Sequence, residues 1–461
     1  MTFKRWLTLT ACCVGTFLLL VHTTSATVSV LAIQRDLHAG LAEGQWITNA
    51  FSLAVGALLI AAGAVGDVVG HRRVFTAGMV IFTAGTAGCG LAPTAAVLIV
   101  ARVVQGAGGA AILASMIPLI VHTYTGRQRA VALSTWSICS AVGGTIGTLG
   151  SGVLAYPGVW RWLFIAGVPF AVVAIAIALV MSTGLPDGDR KPRRFDTPGM
   201  VWTIALIGSA TFTITAAGQF GIASGWTLGA AVLAFVSIGG LVSAERRVPS
   251  PALPPTLFRS RLYLGTTVIA FAYYFAAFGP LPVTAAWLTA SAGLDPAAVG
   301  ALLAVQQIGF ILASALVRVP EHRHLITLTL GMAVIVIAVL LAAVAVLASL
   351  PAALILVSLV LSGGGAGLLT PILPHLATRS AAPSLAGAAA GVFNATRQLG
   401  LAVGVTACSA IAQSSPSRGL GTGLAFILAA AVAQIALLAQ RALLGLKSRT
   451  GRTRPVDASQ M

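Results

Sequence analysis

Three basic side chains lie deep inside long apolar runs, where a charge is costly and indicates a function. They are His22, Arg102 and Arg397. The two arginines lie roughly 8 to 13 residues from the ends of their runs, or roughly 12 to 20 Å at about 1.5 Å per helical residue. A charge at that depth in lipid costs at least about 3 kcal/mol unless it faces protein or water. The sequence therefore predicts that these three groups act inside the protein.

The carboxylates are distributed differently, because all ten fall at the ends of apolar runs or between them. They are Asp36, Glu43, Asp67, Asp187, Asp189, Asp196, Glu245, Asp295, Glu321 and Asp457. Proton-coupled carriers usually load protons on membrane carboxylates, since burial raises the pKa of such a group toward neutrality. With none at mid-depth, His22 is the best candidate, because an unperturbed imidazole has a pKa of about 6.5. The alternative is a neutral histidine bonded to a backbone carbonyl, and Asp36 is a weaker substitute.

Composition places these residues in a membrane protein. The chain has 461 residues, of which 57% are hydrophobic and only 8% are charged. The net charge of +17 would suit a nucleic-acid-binding surface, but the basic residues are scattered between apolar runs, which excludes that partner. The five cysteines form no disulfide or metal-binding pattern. We expect no cofactor, no metal and no nucleic-acid partner.

The apolar runs predict fourteen membrane-spanning helices. They cover 7–31, 45–65, 74–92, 95–119, 131–154, 162–182, 199–218, 226–244, 264–288, 297–317, 325–347, 352–374, 385–410 and 420–443. Polar segments divide them into an amino-terminal six-helix bundle (1–186), cytoplasmic linkers with two additional helices (187–261), a carboxy-terminal six-helix bundle (262–446) and a basic tail (447–461). The first run is longer than a typical signal peptide, and we interpret it as an uncleaved helix.

Charge predicts the orientation. With the amino terminus inside, 22 of the 27 Lys and Arg residues fall on the cytoplasmic side, as the positive-inside rule requires. The sequence thus predicts a multi-pass protein of the cytoplasmic membrane with both termini in the cytoplasm. Its basic tail would lie near anionic lipid.

The loop after the second run, GAVGDVVGHRRVF (63–75), combines small residues with opposite charges. Asp67 can form charge-assisted bonds with Arg72 and Arg73 that hold one conformation and break in another, and Gly63 and Gly70 allow a tight turn. We predict that these five residues form a gate. The alternative is an ordinary cytoplasmic loop, which would need the arginines but not the glycines or Asp67.

This loop resembles the signature loop of the major facilitator superfamily, although Val68 stands where that family usually has Arg. Further segments resemble its fourteen-span drug:proton antiporter subfamily: VARVVQGAGGAA (100–111), AVGGTIGTLGSG (141–152), WRWLF (160–164) and GVFNATRQLGLAVG (391–404). The resemblance implies an all-α major facilitator fold, with two six-helix bundles, two extra central helices and alternating access.

The resemblance also assigns roles to individual residues. It implies that Arg102 takes part in proton transfer and that Gly143, Gly147 and Gly152 belong to an antiporter motif. This chain departs from the pattern at Thr148, where the motif has Pro, and at His22, where the subfamily typically has Asp. Close helix contact remains possible at the three glycines.

In the family, spans 2, 5, 9, 10 and 13 line a central cavity. The polar and aromatic candidates for such a cavity in this chain, with amides able to bond the arginines, are Asn49, Gln105, Trp136, Tyr273, Tyr274, Gln306, Gln307, Asn394, Arg397 and Gln398. For any single one of them, packing or interfacial anchoring is the favoured alternative, and for Arg397 a structural clamp between helices is favoured, because the glycines around it suggest tight packing. Adjacent residues such as Tyr273 and Tyr274 point to different helix faces, so at most one can face a given cavity.

These observations predict a proton-coupled exporter of small amphipathic organic compounds, such as antibiotics, working as a monomer with the substrate, protons and membrane lipid as its partners. A cavity with two arginines, one histidine and no carboxylate should disfavour lipophilic cations and suit neutral or anionic compounds. One alternative is a facilitator or uptake permease without proton antiport. A membrane-embedded sensor or enzyme is the least favoured, because no catalytic cluster is evident.

Overall fold

The structure, a computed structural model, describes residues 3–156, 158–182, 197–245, 256–291, 293–316, 323–351, 353–381 and 385–444. Within these ranges it is built of α-helices, with short 3₁₀ turns and no strand. The α-helices are α1 (Phe3–Asp36), α2 (Leu41–Val69), α3 (His71–Gly90), α4 (Ala95–Thr123), α5 (Gly126–Val153), α6 (Trp162–Ile165), α7 (Gly167–Ser182), α8 (Thr197–Phe220), α9 (Gly225–Glu245), α10 (Arg261–Phe278), α11 (Leu281–Ala290), α12 (Pro296–Leu316), α13 (His324–Leu347), α14 (Ala353–Leu369), α15 (Leu373–Arg379), α16 (Ala386–Ser414) and α17 (Arg418–Leu444).

Three of the predicted spans are interrupted helices. Helices α6 and α7, α10 and α11, and α14 and α15 each form one apolar segment with a break. The break between α10 and α11 falls at Gly279 and Pro280, where proline cannot continue the hydrogen-bond ladder of the preceding helix. Among the described residues, eleven segments are long and apolar enough to cross a membrane, and α3, α5 and α16 fall outside that set. The count of fourteen spans remains a prediction.

Packing groups the helices into two bundles. In the amino-terminal bundle, α4 packs between α2 and α3, and α1 packs against α5 and α7. In the carboxy-terminal bundle, α14 packs against α12 and α13, while α10 contacts α16 and α17. One apolar core lies in the amino-terminal bundle around Phe75 and Phe82, and a larger one is centred in the carboxy-terminal bundle around Tyr273 and Phe393 and extends to α2 and α8.

The bundles meet along two seams. Helix α5 packs against α12 in one seam, and α2 packs against α16 in the other. Helix α8 contacts both α2 and α16, and α9 packs on α8, so the extra helices cover the second seam. At this seam the Thr406 hydroxyl of α16 lies 3.4 Å from Thr215 of α8 and accepts a 3.4 Å hydrogen bond from Asn49 of α2.

Several predicted segments fall outside the described residues. They are most of the linker segments around 187–198 and 245–261, and the tail at 447–461. The boundaries of the four predicted parts of the chain therefore remain predictions.

Candidate functional site

Arg102 of α4 is fully enclosed in the amino-terminal bundle and bonded to neutral acceptors. Its Nε donates to the Ile47 carbonyl at 3.1 Å, and its Nη1 donates to the His22 carbonyl at 3.1 Å and to Gln105 Oε1 at 2.8 Å. The guanidinium also lies over the Phe51 ring, 4.7 Å from its centroid. These bonds tie α1 and α2 to α4. Arg102 and Gln105 therefore lie inside one bundle in this conformation.

His22 of α1 lies beside Arg102, but its ring has different neighbours. The imidazole stacks on Phe164 with centroids 5.5 Å apart and an interplanar angle of 8°, and it is tilted against Phe82 at 5.6 Å. The side chain is fully buried, and neither ring nitrogen has a hydrogen-bond partner among the described residues. The hydrogen bond between His22 and Arg102 uses the backbone carbonyl of His22 and not its ring. His22 and Arg102, two of the three predicted proton-coupling residues, are thus neighbours within the bundle interior.

Asp36 lies apart from this pair. It is 14 residues from His22 on the same helix, about 21 Å along its axis. Its Oδ2 accepts hydrogen bonds from Trp160 Nε1 at 3.0 Å and from Arg161, whose Nη2 also donates to the Ala92 carbonyl. Burial opposes ionisation of Asp36, but the hydrogen bonds and charge of Arg161, with the Trp160 bond, outweigh it and hold the pKa of the carboxyl below its ordinary value. Asp36 therefore serves as one partner of a helix-end ion pair in this conformation.

The carboxylates whose side chains the structure describes are Asp36, Glu43, Asp67 and Asp295, and all four lie at helix ends. Asp295, for example, accepts a 2.6 Å bond from the Ala298 amide at the start of α12. Among the described residues, His22, Arg102 and Arg397 therefore have no carboxylate partner.

Arg397 of α16 is held in a more open setting than Arg102. It is half-buried, its Nη1 donates to Asn394 Oδ1 at 3.2 Å, and its Nη2 donates to the Tyr274 hydroxyl of α10. The guanidinium carbon lies 4.6 Å from the centroid of the Tyr274 ring. Its Nε has no hydrogen-bond partner among the described residues. All three of these residues were predicted from the sequence, and the structure brings them together.

A row of half-buried aromatic rings continues from Arg397 and is here called the aromatic wall: Tyr274, Phe278 and Phe310. The rings of Tyr274 and Phe278 are 5.3 Å apart, and Phe278 lies 6.5 Å from Phe310 of α12. The wall links α10 to α12, and Arg397 links α10 to α16. Because α12 and α16 form the two seams, the group lies on the part of the carboxy-terminal bundle between them. Sequence reasoning missed both phenylalanines, since single aromatic residues in apolar spans carry no distinguishing signal.

Two pairs of adjacent candidates separate by helix face. Tyr273 is fully buried, with its hydroxyl 3.5 Å from Thr370, whereas Tyr274 is half-buried against Arg397. Gln306 is buried and donates to the Ala277 carbonyl at 2.6 Å.

Gln307 points to the other bundle. A Cβ placed on Gly144 of α5 would lie 3.5 Å from the Gln307 amide, across the seam between α5 and α12.

The remaining cavity candidates are dispersed. Trp136 donates to Thr16 Oγ1 at 2.6 Å within the amino-terminal bundle, Asn49 lies at the seam between α2 and α16, and Gln398 is half-buried on α16. Their roles in substrate binding remain predictions.

The motif glycines of α5 lie at two helix contacts. A Cβ on Gly143 would meet the Phe17 backbone of α1, and one on Gly147 would meet Val21 of the same helix. Gly152 instead faces the other bundle, where its Cβ would lie 2.7 Å from the Pro296 carbonyl and 3.0 Å from Gly300 Cα. Gly143 and Gly147 thus allow close packing within the amino-terminal bundle, and Gly152 allows close packing between the two bundles.

In the loop between α2 and α3, Asp67 forms a 3.1 Å hydrogen bond with Nε2 of His71, a residue that the sequence analysis did not single out. Gly70 has a φ of 104°, which side-chain-bearing residues rarely adopt. A Cβ at Gly63 would meet nothing within 4 Å. The loop therefore requires glycine at Gly70 for its backbone, while the gating role of all five predicted residues remains a prediction.

Two apolar helical bundles that meet along two seams define a multi-pass membrane transporter. The Major Facilitator Superfamily model matches residues 11–405, and the chain belongs to that family. It is 31% identical to an uncharacterized MFS-type transporter, Rv1250 of Mycobacterium tuberculosis, over 89% of this chain and 70% of that protein. It is 28% identical to the methylenomycin A resistance protein of Streptomyces coelicolor, over 91% of this chain and 88% of that one. It is 30% identical to the drug efflux pump JefA of Mycobacterium tuberculosis, over 88% of this chain and 80% of that one.

Solved structures agree on the fold. The human organic anion transporter MFSD10 superposes with a TM-score of 0.70 at 15% identity, covering 95% of this chain and 100% of that one. At that identity the likeness shows the fold alone. It confirms the major facilitator fold predicted from the motifs.

Proposed function

We propose that this protein exports small amphipathic organic compounds across the cytoplasmic membrane in exchange for protons. The names of two relatives, a methylenomycin A resistance protein and a drug efflux pump, support export of antibiotics or similar compounds. The termini lie in the cytoplasm, as the positive-inside distribution favours, and the exporter works as a monomer.

The observation that carries the proposal is the group at Arg397. Arg397 and the rings of Tyr274, Phe278 and Phe310 lie half-buried between the helices that form the two seams, so a charged group and an apolar surface stand side by side there. A site at the junction of two bundles can be exposed to one side of the membrane and then the other when the bundles rock. The loop at Asp67 and Gly70 then acts as a gate, and His22 with Arg102 couples this movement to protons.

Proteoliposomes with an imposed pH gradient test the proposal directly. We expect a fluorescent amphipathic compound to move against its concentration gradient while the pH gradient lasts, and to stop when an ionophore collapses it. Paired anionic and cationic dyes test selectivity, because a site with Arg397 and no carboxylate disfavours a cation. Selective export of the cation would contradict the charge argument.

A second candidate is a facilitator for a neutral or anionic metabolite. The described carboxylates lie at helix ends and His22 is enclosed, which favours a carrier without proton exchange. In the same proteoliposomes a facilitator would equilibrate the substrate and show no accumulation driven by the pH gradient. That result would replace the antiport proposal while leaving the transporter class intact.

A further inference from the structure

The two intramembrane arginines differ in whether they can reach a substrate. Arg102 is fully enclosed, and its hydrogen bonds go to two backbone carbonyls and one amide of its own bundle. Arg397 is half-buried and bonded to side chains, Asn394 and Tyr274. His22 is also enclosed. Both arginines have one buried guanidinium nitrogen without a partner among the described residues, Nη2 of Arg102 and Nε of Arg397. Of these three basic groups, Arg397 is therefore distinguished by its partial exposure.

The charge on Arg397 also lacks a counter-ion. Its two hydrogen-bond acceptors are neutral oxygens, and the described carboxylates all lie at helix ends. An uncompensated guanidinium at this depth is costly, and an incoming anion would offset that cost. Arginine is suited to this role because two N–H groups of its planar guanidinium can bind both oxygens of a carboxylate.

The adjacent aromatic wall favours a particular kind of anion. Its rings are half-buried and spaced 5.3 and 6.5 Å apart, so they present an apolar face next to the guanidinium. Ring–ring contacts of this kind contribute beyond simple burial of apolar area. We infer that Arg397 binds the acidic group of an aromatic organic anion whose ring lies against the aromatic wall. This inference rests on the proposed exporter and names its substrate class.

Equilibrium binding to the purified full-length protein tests this inference separately from transport. The probes are 2-naphthoate and 1-pyrenebutyrate, each paired with its uncharged primary amide, and the readout is equilibrium dialysis in detergent. We expect the wild type to bind at least one carboxylate more tightly than its amide. Arg397→Gln should weaken carboxylate binding about 30-fold, since a hydrogen bond to a charged group contributes about 2 kcal/mol, and should change amide binding less than about 3-fold.

Arg441→Gln is the matched control, because it removes the same charge from an exposed position in the last turn of α17. It should bind both members of each pair as the wild type does. Arg397→Lys keeps the charge but lacks the planar guanidinium, and we expect an intermediate loss of affinity for the carboxylate probe.

Several results would overturn the inference. They are equal affinity of the wild type for carboxylate and amide, binding of neither compound, and wild-type carboxylate affinity in folded Arg397→Gln. If Arg397→Gln fails to fold, the comparison of carboxylate with amide in the wild type and in Arg397→Lys decides. Carboxylate binding without transport in proteoliposomes would support the anion site and refute the exporter proposal. Transport of the amide alone would support the exporter proposal and refute the anion site.

Discussion

Adding a methyl group at Gly152 should shift the balance between the two conformations of the transporter. The new Cβ would lie 2.7 Å from the Pro296 carbonyl oxygen and 3.0 Å from Gly300 Cα. Both obstructing atoms belong to the backbone, so no side-chain rotation can relieve the overlap. Overpacking of this kind costs about 1 to 3 kcal/mol. That cost falls on the conformation in which the seam between α5 and α12 is closed, because rocking of the bundles separates these atoms.

The expected shift is about 5- to 150-fold toward the conformation with this seam open. Double electron–electron resonance between spin labels at Val153 and Ser291, two exposed positions at the ends of α5 and α11, would measure it in a background without the native cysteines. The short-distance population should fall in Gly152→Ala.

Gly150→Ala is the control on the same helix, because its Cβ would meet nothing within 4 Å. Its distance distribution should match that of the parent protein. Gly300→Ala should reproduce the effect of Gly152→Ala, since a Cβ there would lie 2.9 Å from Gly152 Cα. Unchanged distances in both seam variants, or an equal shift in Gly150→Ala, would refute the reasoning.

Three further substitutions address coupling, the ion pair and the gate. His22→Ala should abolish the pH dependence of export if His22 carries the proton, and unchanged coupling in proteoliposomes would remove it from the mechanism. For Asp36, burial opposes ionisation but Arg161 lowers the pKa overall, so the ionised form stabilises the fold above the unfolded pKa of about 3.9 and the benefit disappears as pH falls through the lower folded value. Thermal unfolding should therefore show Asp36→Asn less stable than the wild type at pH 6 and the difference shrinking below pH 4, and a constant difference would contradict this account. Gly70→Ala should lower stability by about 1 to 3 kcal/mol, because its φ of 104° strains a side-chain-bearing residue. Gly63→Ala is the control for thermal unfolding, since its Cβ would meet nothing within 4 Å, and an equal loss there would argue against backbone strain.

Hydropathy predicted most of the fold because each span must bury its backbone bonds within a helix. The motifs then identified the family, which fixed the arrangement in two bundles. The interruption at Gly279 and Pro280 was not predicted, although proline and glycine signal it, because the flanking residues form one continuous apolar run. Hydropathy is averaged over a window of about 20 residues, so an interruption of two residues in the helix hardly changes the average.

The candidate site was only partly predictable. Helical geometry correctly separated Tyr273 from Tyr274, since adjacent residues lie about 100° apart around a helix. Amide partners for the arginines were also predicted, and the structure shows Gln105 bonded to Arg102 and Asn394 bonded to Arg397, each three positions away on the same helix. The enclosure of His22 could not be anticipated, because it depends on the rotation of α1 against other helices.

Contacts between distant segments were the least predictable. The ion pair of Asp36 with Arg161 joins residues 125 positions apart. The hydrogen bond from Arg102 to the His22 carbonyl spans 80 positions. No local spacing encodes such partners, since they follow from the packing of whole helices.

Helix α8 contacts one helix from each bundle, so a relative movement of the two bundles must also involve this helix. Its Thr215 lies 3.4 Å from Thr406 of the carboxy-terminal bundle, while the same helix also packs against α2 of the amino-terminal bundle. When the bundles rock, α8 must slide along at least one of these partners. Substitutions at Thr215 are therefore expected to change the rate of turnover without altering what the protein binds.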